Sequence, residues 1–288
     1  MSRIEKIIRG RPTMEGAGVK LRRIFGYHQV PQMDPFLLLD HFGSSDPDDY
    51  LKGFPWHPHR GIETVTYMIE GEVEHGDSLG NGGVIRSGDL QWMTAGSGII
   101  HQEMPRKYEG TMRGFQLWVN LPAEKKMMDP RYTEVKSSDI PVVNNEGHTV
   151  RVISGEFGDM RGPVRDLIVP VEYLDVNMDP GGSFRRDTIK GRKTFAYVFE
   201  GEVTFSDTPI LEGNCVILGK GGVEALSGKG GRFIFVSGEP LNEQVAWGGP
   251  IVMNTAKELR KAFWELDTGE FIKSGKDVSA NPGFYVPG

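Results

Sequence analysis

Glu63-Thr64-Val65-Thr66-Tyr67-Met68-Ile69-Glu70-Gly71-Glu72-Val73 occurs a second time, in weakened form, as Lys193-Thr194-Phe195-Ala196-Tyr197-Val198-Phe199-Glu200-Gly201-Glu202-Val203. Thr, Tyr, Glu, Gly, Glu and Val recur at matching places, offset by 130 positions. Each copy reads as a strand rich in β-branched and aromatic residues, a Glu-Gly turn and a returning strand. A Gly-containing step into another strand follows in both, Ser87-Gly88-Asp89-Leu90-Gln91-Trp92-Met93 and Glu212-Gly213-Asn214-Cys215-Val216-Ile217-Leu218. Two copies of one small barrel explain this pattern, whereas a solenoid needs several shorter units. The expected fold is all-β.

Working outward, the boundaries follow. The N-terminal barrel is expected over residues 1–121 and a proline-punctuated connection over 122–144. A C-terminal barrel follows over 145–266 and a tail over 267–288. Within the connection, Lys125-Lys126-Met127-Met128 reads as a solvated turn. Helix signals are few. Thr255-Ala256-Lys257-Glu258 has capping-box spacing, and Leu259, Ala262, Phe263 and Leu266 recur at helical spacing, so one C-terminal helix is expected. The tail lacks periodicity and is expected to pack loosely on the surface.

A chain of 288 residues can bury a substantial core. Its 39 glycines and 18 prolines are scattered, as many short strands joined by tight turns require. A net charge of -6 argues against a broad nucleic-acid surface. The start, Met1-Ser2-Arg3-Ile4-Glu5-Lys6, lacks the apolar core of a signal peptide, and no apolar run approaches the ~18 residues of a membrane span. A cytoplasmic protein is expected, or a nucleocytoplasmic one in a eukaryote. Cys215 sits in an apolar run and reads as a buried structural thiol.

Chemistry concentrates in two short stretches, His57-Pro58-His59 and His101-Gln102-Glu103. In a strand, residues i and i+2 share a face, so each pair can aim two side chains into one cavity. Three imidazoles and a carboxylate suit a first-row metal such as iron, manganese, nickel, copper or zinc. Shifting these positions into the second copy gives Asp187, Ile189, Leu226 and Gly228, so that copy is expected to hold no metal. His28, His41, His75 and His148 are read as surface or hydrogen-bonded core groups.

Longer strings carry a resemblance. They are Asp34-Pro35-Phe36-Leu37-Leu38-Leu39-Asp40 and Phe54-Pro55-Trp56-His57-Pro58-His59-Arg60-Gly61-Ile62-Glu63-Thr64-Val65. Gly98-Ile99-Ile100-His101-Gln102-Glu103-Met104-Pro105, Gln116-Leu117-Trp118-Val119-Asn120-Leu121 and Gly249-Pro250-Ile251-Val252-Met253-Asn254-Thr255 continue it. From about Arg22 to about Trp264 the chain resembles the pirin family of cupins. The resemblance implies a bicupin, two antiparallel jelly-roll-like barrels facing each other, with one non-haem iron in the N-terminal barrel. Its ligands fall on His57, His59, His101 and Glu103. The broader cupin pattern instead places the carboxylate four residues after the second histidine, at Glu63. With Glu103 as ligand, Glu63 is left to orient an imidazole or Arg60 by a hydrogen bond.

Pirin-like proteins are associated with quercetin 2,3-dioxygenase activity, the opening of a flavonol ring with release of carbon monoxide. The resemblance implies Fe(II) as cofactor, a flat aromatic substrate such as a flavonol, and Glu103 or Glu63 as general base. Trp56, Trp92, Met93, Met104 and Phe115 neighbour the ligands and read mostly as core, with a pocket wall as the other reading. Eukaryotic pirins resemble the chain too, and imply another role: an iron-dependent, redox-sensitive regulator that binds a protein partner without turnover.

Overall fold

The computed structural model describes residues 3–275, which are mostly strand, with one α-helix among them. The chain divides into two units whose boundaries interleave along the sequence. One comprises residues 12–32, 36–137 and 242–288, and the other 1–11, 33–35 and 138–241.

The unit that carries the histidine pairs is built from two antiparallel sheets. Seven strands run in the spatial order Arg131–Val135, Leu90–Thr94, Ile62–Glu70, Met112–Asn120, Phe36–Ser44, Val19–Phe25 and Arg11–Glu15. Four more run in the order Phe54–His59, Ile99–Pro105, Glu72–Asp77 and Gly82–Arg86. Central strands such as Ile62–Glu70 and Leu90–Thr94 are buried along nearly their whole length, hence their near-continuous apolar and Thr-rich sequence.

The Glu-Gly step differs from the expected hairpin. Ile62–Glu70 and Glu72–Asp77 lie in different sheets, so at Gly71 the chain turns a corner. Gly71 has φ +103°, and a Cβ there would lie 2.6 Å from Met112 Cγ. Only glycine passes that corner without strain. The second copy does the same within one strand, Lys193–Phe205, which bends through a register shift between Val198 and Glu200 and pairs in two sheets.

The second unit is organised on a ten-stranded arrangement, with Ile4–Arg9 paired to Asn214–Leu218. Its interior is apolar. Phe184, Phe205, Phe233 and Phe235 stack with Val176, Val198 and Val216 in one core. Strands Ser183–Asp187 and Gly222–Leu226 pair as Phe54–His59 pairs with Ile99–Pro105. In the second unit that pair turns Phe184, Val223 and Ala225 inward. Cys215 is fully buried, and burial pushes its thiol well up from the usual range.

Three boundary expectations change. The helix Ala256–Asp267 forms as read, with Thr255 accepting from the Glu258 N–H and Glu258 receiving the Thr255 N–H at 2.8 Å. It packs, however, within the histidine-bearing unit, through Ala262, Leu259, Phe263 and Leu266 against Ile100 of an early strand and Ile251 and Met253 of the late strand Ile251–Met253. The expected connection contains a strand, Arg131–Val135, that closes one edge of the seven-stranded sheet. Of the tail, Phe271 is buried rather than loose. Residues 276–288 lie outside the described residues.

Lys126 is the sharpest departure, being 1% exposed instead of solvated. Its Nζ donates to Gly61 O at 2.8 Å, Asn120 Oδ1 at 2.6 Å and Val252 O at 3.1 Å, which ties three segments of one unit together. A pair of adjacent lysines gives no hint of this, because only one of them turns inward.

Lys126→Met, of similar length but without donors, strands three buried oxygens and should cost about 2–4 kcal/mol in urea unfolding at neutral pH. Burial pulls the Lys126 ammonium from 10.5 down to about 7. Between those values the unfolded chain holds the extra proton, so this site's contribution to stability rises with pH across that window and is flat below about 7. Unfolding curves of the variant should lack that rise; an identical pH profile in both proteins would refute the linkage.

Candidate metal centre

The first histidine pair sits on Phe54–His59 and the third imidazole on its neighbour Ile99–Pro105, where His101 lies directly opposite His57. A register shift falls between His101 and Glu103, beside Pro55 and Trp56. Pro55 has no N–H to give to a ladder, which suits it to such an irregularity. The Pro55 carbonyl turns instead to the His57 ring and accepts its Nδ1–H at 2.8 Å. His59 donates its own Nδ1–H to Pro250 O at 3.1 Å.

These two carbonyls decide the tautomers. With both Nδ1 atoms protonated, both Nε2 atoms carry lone pairs, and they face each other at 3.1 Å. His101 is 0% exposed, and neither ring nitrogen has a hydrogen-bond partner among the described residues. One nitrogen from each of the three rings lies within 4.8 Å of the others. Converging lone pairs with no proton between them repel, and a cation relieves that repulsion. Burial keeps all three rings neutral, bringing His57 down to about 4 and His59 and His101 well below 6.5. Neutral, oriented imidazoles are the form that binds a divalent transition metal, so the residues present fit one.

Glu103 lies on the cavity side of its strand, two residues beyond His101. It is 7% exposed, and its carboxylate accepts from Thr66 Oγ1 at 2.8 Å. It stands outside the group of three nitrogens. Burial pushes its pKa up, while the Thr66 bond pulls it down.

Glu63 does neither of the things expected of it. Thr66, three residues further along the same strand, faces the cavity, so Glu63 at an odd offset points through the other face of the sheet. There it accepts from Thr94 Oγ1 at 2.7 Å, with Arg131 at 3.9 Å. It orients no imidazole, and Arg60 has another partner. Arg60 Nη1 donates to Glu265 Oε2 at 2.7 Å and Nη2 to Phe271 O at 2.8 Å, with the guanidinium 4.2 Å from the Phe271 ring centre. The helix thus clamps the strand that carries His57 and His59. A carboxylate at position 265, on the apolar stripe of the helix, was the one signal of that clamp.

His75, read as an ordinary histidine, is buried opposite Glu103, 5.6 Å from the His101 ring centre. It stacks on Tyr132 at 4.9 Å and its Nε2 lies 3.3 Å from Asp77 Oδ2. Alternation from His101 and Glu103 could not reveal it, since it comes from the neighbouring strand Glu72–Asp77.

In front of His57, His59 and Glu103 opens a cavity of about 360 Å³, within the range of small-molecule sites. Its apolar walls are Leu38, Phe42, Phe54, Met112, Trp118 and Trp247. None of Trp56, Trp92, Met93, Met104 and Phe115 is among its lining residues. Trp118 stands edge-on to His59 at 5.0 Å, and Trp247 lies 5.8 Å from Trp118 and 5.7 Å from the exposed Tyr27.

Comparison with known proteins places this geometry. The pirin family model matches residues 18–119, and the model of the pirin C-terminal cupin domain matches residues 173–272. A pirin-like protein of Caulobacter vibrioides is 45% identical over 272 residues, covering 92% of this chain and 98% of that protein. Human pirin is 41% identical, over 89% of each chain. The solved structure of a quercetin 2,3-dioxygenase from Acinetobacter baumannii is 33% identical and superposes with a TM-score of 0.88, covering 94% of this chain and 98% of that one.

The chain should take up about one equivalent of transition metal, and His101→Ala should remove most of that affinity while both units stay folded. Elemental analysis with thermal unfolding checks both. Two tightly held metals per chain, or loss of cooperative unfolding on metal removal, would contradict the expectation. Glu103→Gln should weaken binding more than Glu63→Gln.

Proposed function

Because this chain belongs to the pirin family of bicupins, we propose that it is an iron-dependent dioxygenase that opens the central ring of a flavonol such as quercetin. The observation that carries this reading is the convergence of three neutral imidazole nitrogens, two of whose rings, His57 and His59, line a cavity that also has aromatic walls. Bound by His57, His59 and His101 with Glu103 as fourth ligand, Fe(II) would supply Lewis acidity toward the flavonol hydroxyl and a route for electrons to dioxygen.

The protein's own side chains account for the remaining requirements. Trp118 and Trp247 offer flat faces and edges against which fused rings can lie. Pro55 O and Pro250 O hold two of the imidazoles so that their lone pairs do not rotate away. Glu103 takes the proton of the flavonol hydroxyl. Its burial raises its affinity for that proton, and Thr66 Oγ1 keeps the carboxylate oriented at 2.8 Å. Apolar walls keep bulk water from the deprotonated substrate. Overall, the flavonol gains both atoms of dioxygen and loses one carbon as carbon monoxide.

Iron-loaded protein given quercetin without oxygen, then exposed to air, should lose the flavonol absorbance and release carbon monoxide in equal amount. Glu103→Gln should slow this by about 10²-fold or more. Absence of carbon monoxide from fully loaded protein would overturn the reading and favour a regulatory role.

A further inference from the structure

One row of side chains crosses the cavity face of the seven-stranded sheet in strict register. Arg23 pairs with Asp40, Asp40 with Gln116, Gln116 with Thr66 and Thr66 with Gln91. All five are polar. The flanking row on one side is Leu21, Phe42, Gly114 and Met68, and on the other Leu38, Trp118, Thr64 and Met93. A polar stripe set between two mainly apolar rows reaches from Thr66, which touches Glu103 beside the imidazoles, to Arg23 on the strand next to the far edge.

The chemistry of the stripe is one-sided. Arg23 donates through Nε and Nη2 to the two Asp40 oxygens at 2.9 and 2.7 Å, and its Nη1 lies 2.8 Å from Glu15 Oε1. The guanidinium is spent on carboxylates. Asp40 is a cavity residue only 4% exposed, and a carboxylate has about four acceptor sites, of which Arg23 uses two. Because Asp40 lines the cavity, a molecule held there can reach the remaining ones. Further along, Thr66 Oγ1 lies 2.8 Å from both Glu103 Oε1 and Gln116 Oε1. Gln91 Oε1 lies 3.4 Å from the same hydroxyl, so one proton serves three oxygens and this part of the row is short of donors. The wall therefore asks for donors, and neutral donors on a flat apolar body are aromatic hydroxyls. Two strand spacings separate Asp40 from Thr66, roughly 10 Å, a span on the scale of a molecule of three linked rings.

We propose that this row reads the outer hydroxyl groups of a polyhydroxylated aromatic substrate, with Asp40 as the specificity-determining residue, an inference that rests on the flavonol reading above. The substrate lies along the row, the chelating hydroxyl and ketone of its central ring toward the imidazoles and the hydroxyls of one outer ring on Gln116 and Asp40. Trp118 and Leu38 cover its apolar edge. Hydrogen bonds to a buried carboxylate are of the stronger kind, so losing them should be visible as about tenfold in affinity.

The test is equilibrium binding to iron-loaded protein without oxygen, by shift of the flavonol absorbance. Two ligands are compared. Quercetin has hydroxyls on both outer rings, whereas 3-hydroxyflavone keeps the chelating hydroxyl and ketone and has no others. Wild type should prefer quercetin by at least about tenfold. Asp40→Ala should abolish most of that preference and leave 3-hydroxyflavone binding unchanged. Gln116→Leu, which leaves the Arg23 pair intact, should reduce it severalfold and carries the test if Asp40→Ala does not fold. Equal affinities in wild type, or variants that weaken both ligands alike, would overturn the row as a reader while the flavonol reading stands. If neither ligand binds wild type, both fall.

Discussion

Two backbone carbonyls, Pro55 O and Pro250 O, govern the centre of this protein. Each takes the Nδ1 proton of one histidine and so obliges the opposite nitrogen to present a lone pair inward. Without them the two rings could share a proton across their 3.1 Å gap and satisfy each other. The second carbonyl comes from a residue 191 positions away in sequence. A metal-ready geometry therefore exists only after the late segment 242–253 has docked on the early strands. This explains why that segment and the helix belong with the N-terminal strands.

The two units show what the same frame can hold. In one, the strand pair corresponding to the histidine strands sends Phe184, Val223 and Ala225 into an apolar core. In the other it sends imidazoles and a carboxylate toward a cavity. Filling that space with phenylalanine stabilises by apolar burial, whereas leaving it open forgoes dispersion contacts and buries polar atoms. Lys126, which joins three segments of the same unit, is a further polar group buried there.

Much of this was legible from residue order, and most of the failures have a common cause. Alternation within a strand placed His57 with His59 and His101 with Glu103, because period two is a local property. Glu63 defeated the same logic. Gly61 separates it from His59, with φ +77°, and parity counted on one strand does not carry across such a break into the next. Trp247, His75 and Glu265 reach the site from other strands or from the helix, so no spacing near the histidines encodes them. Lys126 was invisible for a different reason: nothing in a lysine pair says that three oxygens wait for one of them.

The pairing of Arg60 with Glu265 carries this further. Two charges 2.7 Å apart and almost wholly buried gain little net stability, because desolvation consumes most of their attraction. What such a pair supplies is position, since a buried charge parted from its partner is strongly unfavourable; Lys273 at 3.2 Å and Lys261 at 3.7 Å approach Glu265 from its outer side. Arg60 directly follows His59, and Glu265 lies 205 residues later on the helix. The pair therefore sets where the strand end sits to within a hydrogen-bond length, and the Phe271 ring beneath the guanidinium restricts it from the remaining side. An apolar pair of equal volume would hold the strand as firmly against unfolding but would let it slide. A set of imidazoles that must meet within a few ångströms does not tolerate sliding, and this accounts for a charge pair buried at that point.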